Sequence, residues 1–107
     1  MNHKYTLKKN HEISQLVSMR KSVGNKYYIV YYTESNDIKI ALSVSKKIGK
    51  AFFRNKQKRI LREIIRKNIL NFNNLHCLIV LKQNSIELSY EQKENELLHL
   101  IKKIRRN

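Results

Sequence analysis

The sequence predicts an α+β domain, an α/β sandwich in which a small central sheet is layered with helices. Three observations predict it. Residues 26–33 ("KYYIVYYT") are β-branched and aromatic throughout, the composition of a strand. Residues 51–69 carry apolar side chains at helical spacing. Residues 75–82 ("LHCLIVLK") form a near-continuous apolar run, short enough to be a strand buried on both faces. Helical and strand patterns interleave along 107 residues, a length that suits one domain spanning 1–107.

Each element has its own local warrant. Asn10 reads as a helix N-cap with Glu12 in the first turn, and Ile13, Leu16 and Val17 recur on one face, so a short helix is expected over 10–19. "VGN" at 23–25 breaks it, and a short extra strand around 20–24 has no clear signal. After the 26–33 strand, "ESND" supplies turn chemistry. Ile38, Ile40, Leu42 and Val44 then alternate, so 26–33 and 38–45 are expected to pair as a hairpin. Gly49 punctuates before the 51–69 helix. Ser89 with Gln92 matches a capping box that opens the last helix, where Leu97, Leu98, Ile101 and Ile104 are apolar. That helix has its glutamates early and Lys102, Lys103 and Arg105 late, as the helix dipole favours. The order is helix–strand–strand–(strand)–helix–strand–helix. Strand 38–45, helix 51–69 and strand 75–82 compose a β-α-β unit, a connection that is right-handed in about 98% of cases.

Charge narrows the function. The formal net charge is +15, from 23 Lys and Arg against 8 Asp and Glu. Sixteen lysines accompany thirteen Ile and twelve Asn, a bias that AT-rich codons produce without any functional cause. Arginine is more telling, because four of seven (Arg54, Arg59, Arg62, Arg66) fall within thirteen residues. Self-repulsion on this scale calls for an anionic partner, and nucleic acid leads. A membrane surface fits less well, since no helix pairs a basic face with a Trp- or Phe-rich apolar one. No apolar run is long enough for a membrane span or a secretory h-region. Cys77 is the single cysteine, which excludes internal disulfides and suits a reducing cytoplasm.

The stretch 45–67 ("SKKIGKAFFRNKQKRILREIIRK") holds ten of the cations against one acid, Glu63. At helical pitch Phe53, Ile60, Leu61, Ile64 and Ile65 share an arc of about 140°, while Asn55, Arg59, Arg62 and Arg66 fall within about 60° on the far side, with Lys58 on the flank. A disordered tail would not sort its residues in this way. A merely solvated face would mix signs, because like charges at i, i+4 cost roughly 0.2–0.5 kcal/mol each. Arginine's planar fork binds phosphate oxygens in bidentate fashion. Lys46, Lys47 and Lys50 surround Gly49 just ahead.

Lys47, Gly49, Ala51, Arg54, Asn55, Lys58, Arg59 and Arg62 together resemble the arginine- and asparagine-rich motif of the bacterial ribonuclease P protein subunit. The likeness extends to "LKKNHEI" (7–13), "SVGNKYYIVYY" (22–32) and the strand around 75–82, nearly the whole chain. The resemblance implies a ribonucleoprotein that removes the 5′ leader of precursor tRNA, with the ribonuclease P RNA subunit and precursor tRNA as partners. It implies an RNA-facing set of Lys46, Lys47, Lys50, Arg54, Asn55, Lys58, Arg59, Arg62 and Arg66. It also implies a leader cleft at Ile13, Val17, Ile29 and Tyr31, with Ile13 and Val17 standing where the family commonly has phenylalanines. A base stacks on an aromatic ring for roughly 1–3 kcal/mol, which an aliphatic side chain does not supply. From the residues alone Tyr31 fits either a cleft or plain surface cover; the resemblance favours the cleft. The family's β-α-β crossover is left-handed, against the general rule, and that hand is implied here.

No catalytic constellation is legible. Phosphodiester cleavage typically uses clustered carboxylates on a metal or a His-based acid and base. Asp37 is the single aspartate and sits in a predicted turn; Glu91, Glu94 and Glu96 open a helix; His3, His11, His76 and His99 lack metal-ligand spacing. Cys77 reads as a small buried hydrophobe. The expectation is a non-catalytic subunit whose Mg²⁺ is held mainly by the RNA partner, with no organic cofactor and no metal-ligating residues to name in the sequence. A ribosomal or other structural RNA-binding protein is the alternative; it would share the charge without needing the motif or the cleft.

Overall fold

The computed structural model describes residues 21–106. The elements are β1 (Ser22–Gly24), β2 (Tyr28–Glu34), β3 (Lys39–Val44), α1 (Ala51–Lys67), β4 (Leu75–Leu81) and α2 (Tyr90–Arg106). Short 3₁₀ turns at Lys46–Ile48, Ile69–Phe72 and Gln83–Glu87 join them. The helix expected over 10–19, with Ile13 and Val17, lies outside the described residues. The extra strand without a clear signal exists as β1, paired antiparallel with β2. Asn25 shapes the intervening turn: its Oδ1 accepts from the amides of Tyr27 (2.8 Å) and Tyr28 (2.9 Å).

The four strands lie in the order β1-β2-β4-β3. The expected hairpin between β2 and β3 is therefore corrected: β4 lies between them, antiparallel to β2 and parallel to β3. The chain does reverse at "ESND", but it crosses the start of β4 on the way. Ser35 N–H bonds the Asn74 carbonyl at 2.9 Å, and Asp37 Oδ1 meets His76 Nε2 at 2.6 Å. The physical reason is burial. β4 carries the most continuous apolar run, and only a central strand has a neighbour on each side and cover on both faces. The parallel pair β3–β4, bridged by α1, is the expected β-α-β unit.

Both helices pack on one face of the sheet. Leu61, Ile64 and Ile65 of α1 and Leu97, Leu100, Ile101 and Ile104 of α2 meet Tyr28, Val30, Ile40, Leu75, Cys77, Ile79 and Leu81. Tyr28 and Val30 are buried in this core, and Tyr27 and Tyr32 pack against it. Burial pushes the Cys77 thiol up to about 12, so it behaves as a small hydrophobe. The opposite face holds a second, smaller cluster in which Ala41 and Leu78 are buried and Tyr31 and Val80 pack against them.

Local signals set most of the ends. Ser89 and Gln92 form the capping box reciprocally, at 3.2 and 3.0 Å. α1 stops at Lys67 rather than Ile69, because the Asn68 amide turns back to the Ile64 carbonyl at 2.8 Å and reaches Glu94 at 2.9 Å. Asn74, at φ 60°, then makes the left-handed turn into β4, a conformation that asparagine tolerates better than most residues. No helix among the described residues is long and apolar enough to cross a membrane.

Ile79, fully buried on the interior strand β4, tests how far that strand governs the fold. Ile79→Ala should lower unfolding free energy by about 2–5 kcal/mol, read as a lower urea midpoint with an unchanged slope.

Candidate nucleic-acid interface

The cationic face of α1 is set by what the other face buries. Leu61, Ile64 and Ile65 are fully buried against the sheet, so the residues opposite them must face solvent. Asn55, Arg59, Arg62 and Arg66 are all exposed, as are Lys46, Lys47 and Lys50 on the approach to the helix. Arg54 and Lys58 are half-buried. Arg59 and Arg62 make no ion pair or hydrogen bond among the described residues. The first turn of α1 contains no acid, and Lys50 at its N-cap offers no side-chain cap.

Two of the nine expected interface residues carry internal side-chain bonds among the described residues. Arg66 engages Glu63 through Nη2 at 2.5 Å and Nε at 3.2 Å. That hydrogen-bonded pairing holds the Glu63 carboxyl below its usual range and raises the Arg66 guanidinium further. The pair is solvent-exposed, a setting in which ion pairs contribute little, so a phosphate can compete for Arg66. Arg54 donates from Nε to the Gly49 carbonyl at 3.1 Å, fastening the lysine-bearing turn to the helix. Gly49 has a positive φ of 159° with ψ −169°, an extended conformation that side-chain-bearing residues rarely adopt. A Cβ there would lie 3.6 Å from the Phe53 ring. That distance is ordinary van der Waals contact, so the dihedral angle is what requires glycine here.

Phe52 and Gln57 were missed by the sequence reading, and the same helical wheel could have found both. Phe52 precedes Arg59 by seven residues, which puts it on the cationic side, where it is 76% exposed. Gln57 lies inside the apolar arc and is 5% exposed, with no hydrogen-bond partner for Oε1.

On the other face of the sheet, Ile29 and Tyr31 project from β2 on the side away from both helices, each half-buried. Tyr31 stands opposite Leu78, which stands opposite Ala41; Ile29 stands opposite Val80 and then Ser43. The strip is apolar at its centre and continuous across three strands. Ile13 and Val17, expected to face it, lie outside the described residues.

The carboxylates are dispersed. Asp37 pairs with His76, whose hydrogen bond holds the Asp37 carboxyl below its usual range. Glu94 bonds Asn68 and lies 3.6 Å from Lys67, and Glu96 accepts from Asn25. No three His, Cys, Asp or Glu side chains among the described residues are grouped so as to hold a metal ion.

A family model described as Ribonuclease P matches residues 1–105. The chain belongs to the ribonuclease P protein family. A relative named ribonuclease P protein component, from Phytoplasma australiense, is 40% identical over 97% of this chain and 94% of its own length. The protein of the same name from Mycoplasma mycoides subsp. mycoides SC is 34% identical over 98% of this chain and 100% of its own. Among solved structures, the Staphylococcus aureus RNase P protein superposes with a TM-score of 0.83 at 29% identity, covering 92% of this chain and 93% of that one. The Thermotoga maritima RNase P protein has the same TM-score at 24% identity, a likeness of fold, over 92% of this chain and 96% of its own. The mixed α+β sheet is thus the architecture of ribonuclease P proteins, and α1 carries the arginine- and asparagine-rich motif by which the chain resembles them.

Gln57 separates folding from binding on this helix. Gln57→Leu removes an unpartnered buried acceptor and should stabilise the protein by about 1–2 kcal/mol, raising Tm while leaving RNA affinity unchanged. A lower Tm would mean that the Gln57 amide has a partner, such as a buried water.

Proposed function

We propose that this chain is the protein subunit of a ribonuclease P ribonucleoprotein, in which it binds the catalytic RNA and the 5′ leader of precursor tRNA and supports endonucleolytic maturation of the tRNA 5′ end. The observation that carries the reading is the pair Arg59 and Arg62. Both stand exposed on a helix whose other face is locked in the core, and neither is held by a carboxylate among the described residues. Guanidiniums displayed this way suit bidentate binding of phosphate oxygens. Lys46, Lys47, Lys50, Arg54, Asn55, Lys58 and Arg66 extend that surface toward the RNA subunit. Membership of the family and the names of the relatives support the same assignment.

Leader binding falls to the other side of the sheet, where Tyr31 offers a ring for stacking and Ile29 an apolar contact; the resemblance to the family adds Ile13 and Val17 to the leader-binding set. With aliphatic side chains at 13 and 17, Tyr31 is the main stacking surface. Cleavage itself belongs to the RNA, with Mg²⁺ held mainly by RNA phosphates. Asp37, Glu63, Glu94 and Glu96 are each engaged in structural contacts, which fits a protein that supplies charge neutralisation and substrate grip. Neutralising RNA phosphates lowers the Mg²⁺ that the RNA needs in order to fold. The compartment is the cytoplasm, where precursor tRNA is made.

Added to a bacterial ribonuclease P RNA at low Mg²⁺, the protein should restore cleavage of precursor tRNA that the RNA alone performs poorly. No stimulation would favour a structural RNA-binding role instead. Replacing Arg59 and Arg62 by Ala should weaken RNA-subunit binding and reduce the slope of log K against log salt by roughly one unit per lost contact. An unchanged slope would remove both residues from the interface.

A further inference from the structure

We propose that Phe52 is a stacking platform for an unpaired base of the RNA partner, set at the start of the cationic stripe of α1. The inference rests on the RNA-binding reading above and adds a contact that the arginines cannot make. Phe52 is 76% exposed on the first turn of the helix. It stands about 20° around the helix from Arg59 and about 10 Å along the axis. Asn55 and Lys56, three and four residues on, flank it, and both are exposed.

The ring is not part of the core. Its neighbour Phe53 takes the inward position against Gly49, and the sheet side of the helix is filled by Leu61, Ile64 and Ile65. Folding leaves Phe52 in water.

The surroundings identify the occupant. Lys56 and Arg59 lie on its own side of the helix, Lys46, Lys47 and Lys50 precede it by two to six residues, all five are exposed, and the turn itself has no acid. A second copy of this chain would bring +15 against +15. A lipid surface would need an apolar face, whereas the neighbours of Phe52 on its own face are Asn55, Lys56 and Arg59. A nucleic-acid strand offers negative phosphates and flat apolar rings in alternation, and both are then matched. The base must be unpaired, because in a duplex its faces are already stacked.

The chain contains no tryptophan, so Phe52→Trp introduces a single indole as a probe. In the full-length protein its fluorescence should be quenched by a bacterial ribonuclease P RNA and left unquenched by polyphosphate, which engages the cations but has no rings. Phe52→Tyr and Phe52→Trp should retain affinity for the RNA, while Phe52→Ala and Phe52→Leu should weaken it roughly tenfold. The salt slope should not change in any of these variants, since no charge is lost. Their Tm should hold as well, because the side chain is exposed.

Several outcomes would overturn the proposal: RNA that binds without quenching, equal quenching by polyphosphate, or a leucine variant that binds like the parent. Reduced self-association of Phe52→Ala in sedimentation velocity, with RNA affinity intact, would assign the ring to a second copy and also overturn it. The Arg59/Arg62 double substitution, run alongside, keeps the two readings apart. If its salt slope does not fall, RNA binding by the stripe fails. If that slope falls while Phe52→Ala and Phe52→Leu bind normally, only the stacking contact fails.

Discussion

Burial of Leu61, Ile64 and Ile65 against the sheet is the contact on which the functional surface depends. A helix has one rotational setting that places those three side chains in the core, and that setting fixes the direction of every charge on the opposite side. The cost of holding like charges together, a few tenths of a kcal/mol for each i, i+4 pair, is small beside the roughly 1.5–3 kcal/mol gained by burying each apolar side chain. The stripe is stable as a display because its charges do not have to stabilise it.

The same comparison explains how a chain of net charge +15 folds. Its few acids serve particular joints. Glu96 reaches the Asn25 turn, Glu94 the end of α1, and Asp37 the start of β4 through His76. Glu63 alone sits within the stripe, and it takes Arg66 rather than Arg59 or Arg62. The guanidiniums nearest the middle of the helix thereby have no carboxylate partner among the described residues, and the one near its end is held in an exposed pair of small energetic worth.

β4 organises the rest. As an interior strand between β2 and β3 it contributes Leu75, Cys77, Ile79 and Leu81 to the face beneath the helices and Leu78 and Val80 to the other. One strand therefore supports both candidate binding regions. Behind one face lies the helix that presents arginines; on the other lies the strip holding Tyr31 and Ile29. Buried apolar side chains pack densely enough to keep such regions in fixed relation, which suits a protein that would hold one RNA while gripping another.

The sequence by itself determined whatever depends on neighbours along the chain. Helical periodicity marked α1 with its two sides, Ser89 and Gln92 marked the start of α2, and the apolar run marked β4, because hydrogen-bond caps and 3.6- or 2-residue periods are local properties. The same wheel places Gln57 and Phe52, but each runs against its residue type, a polar side chain on the apolar arc and an aromatic one on the cationic side. Only the tertiary structure decided that β4 separates β2 from β3, since "ESND" specifies a reversal of direction and leaves open which strand lies alongside. It likewise settled that Arg54 binds a carbonyl and that Arg66 takes the lone acid. Adjacency in a sheet is chosen by how much apolar surface the whole chain can remove from water, and no segment read alone contains that sum.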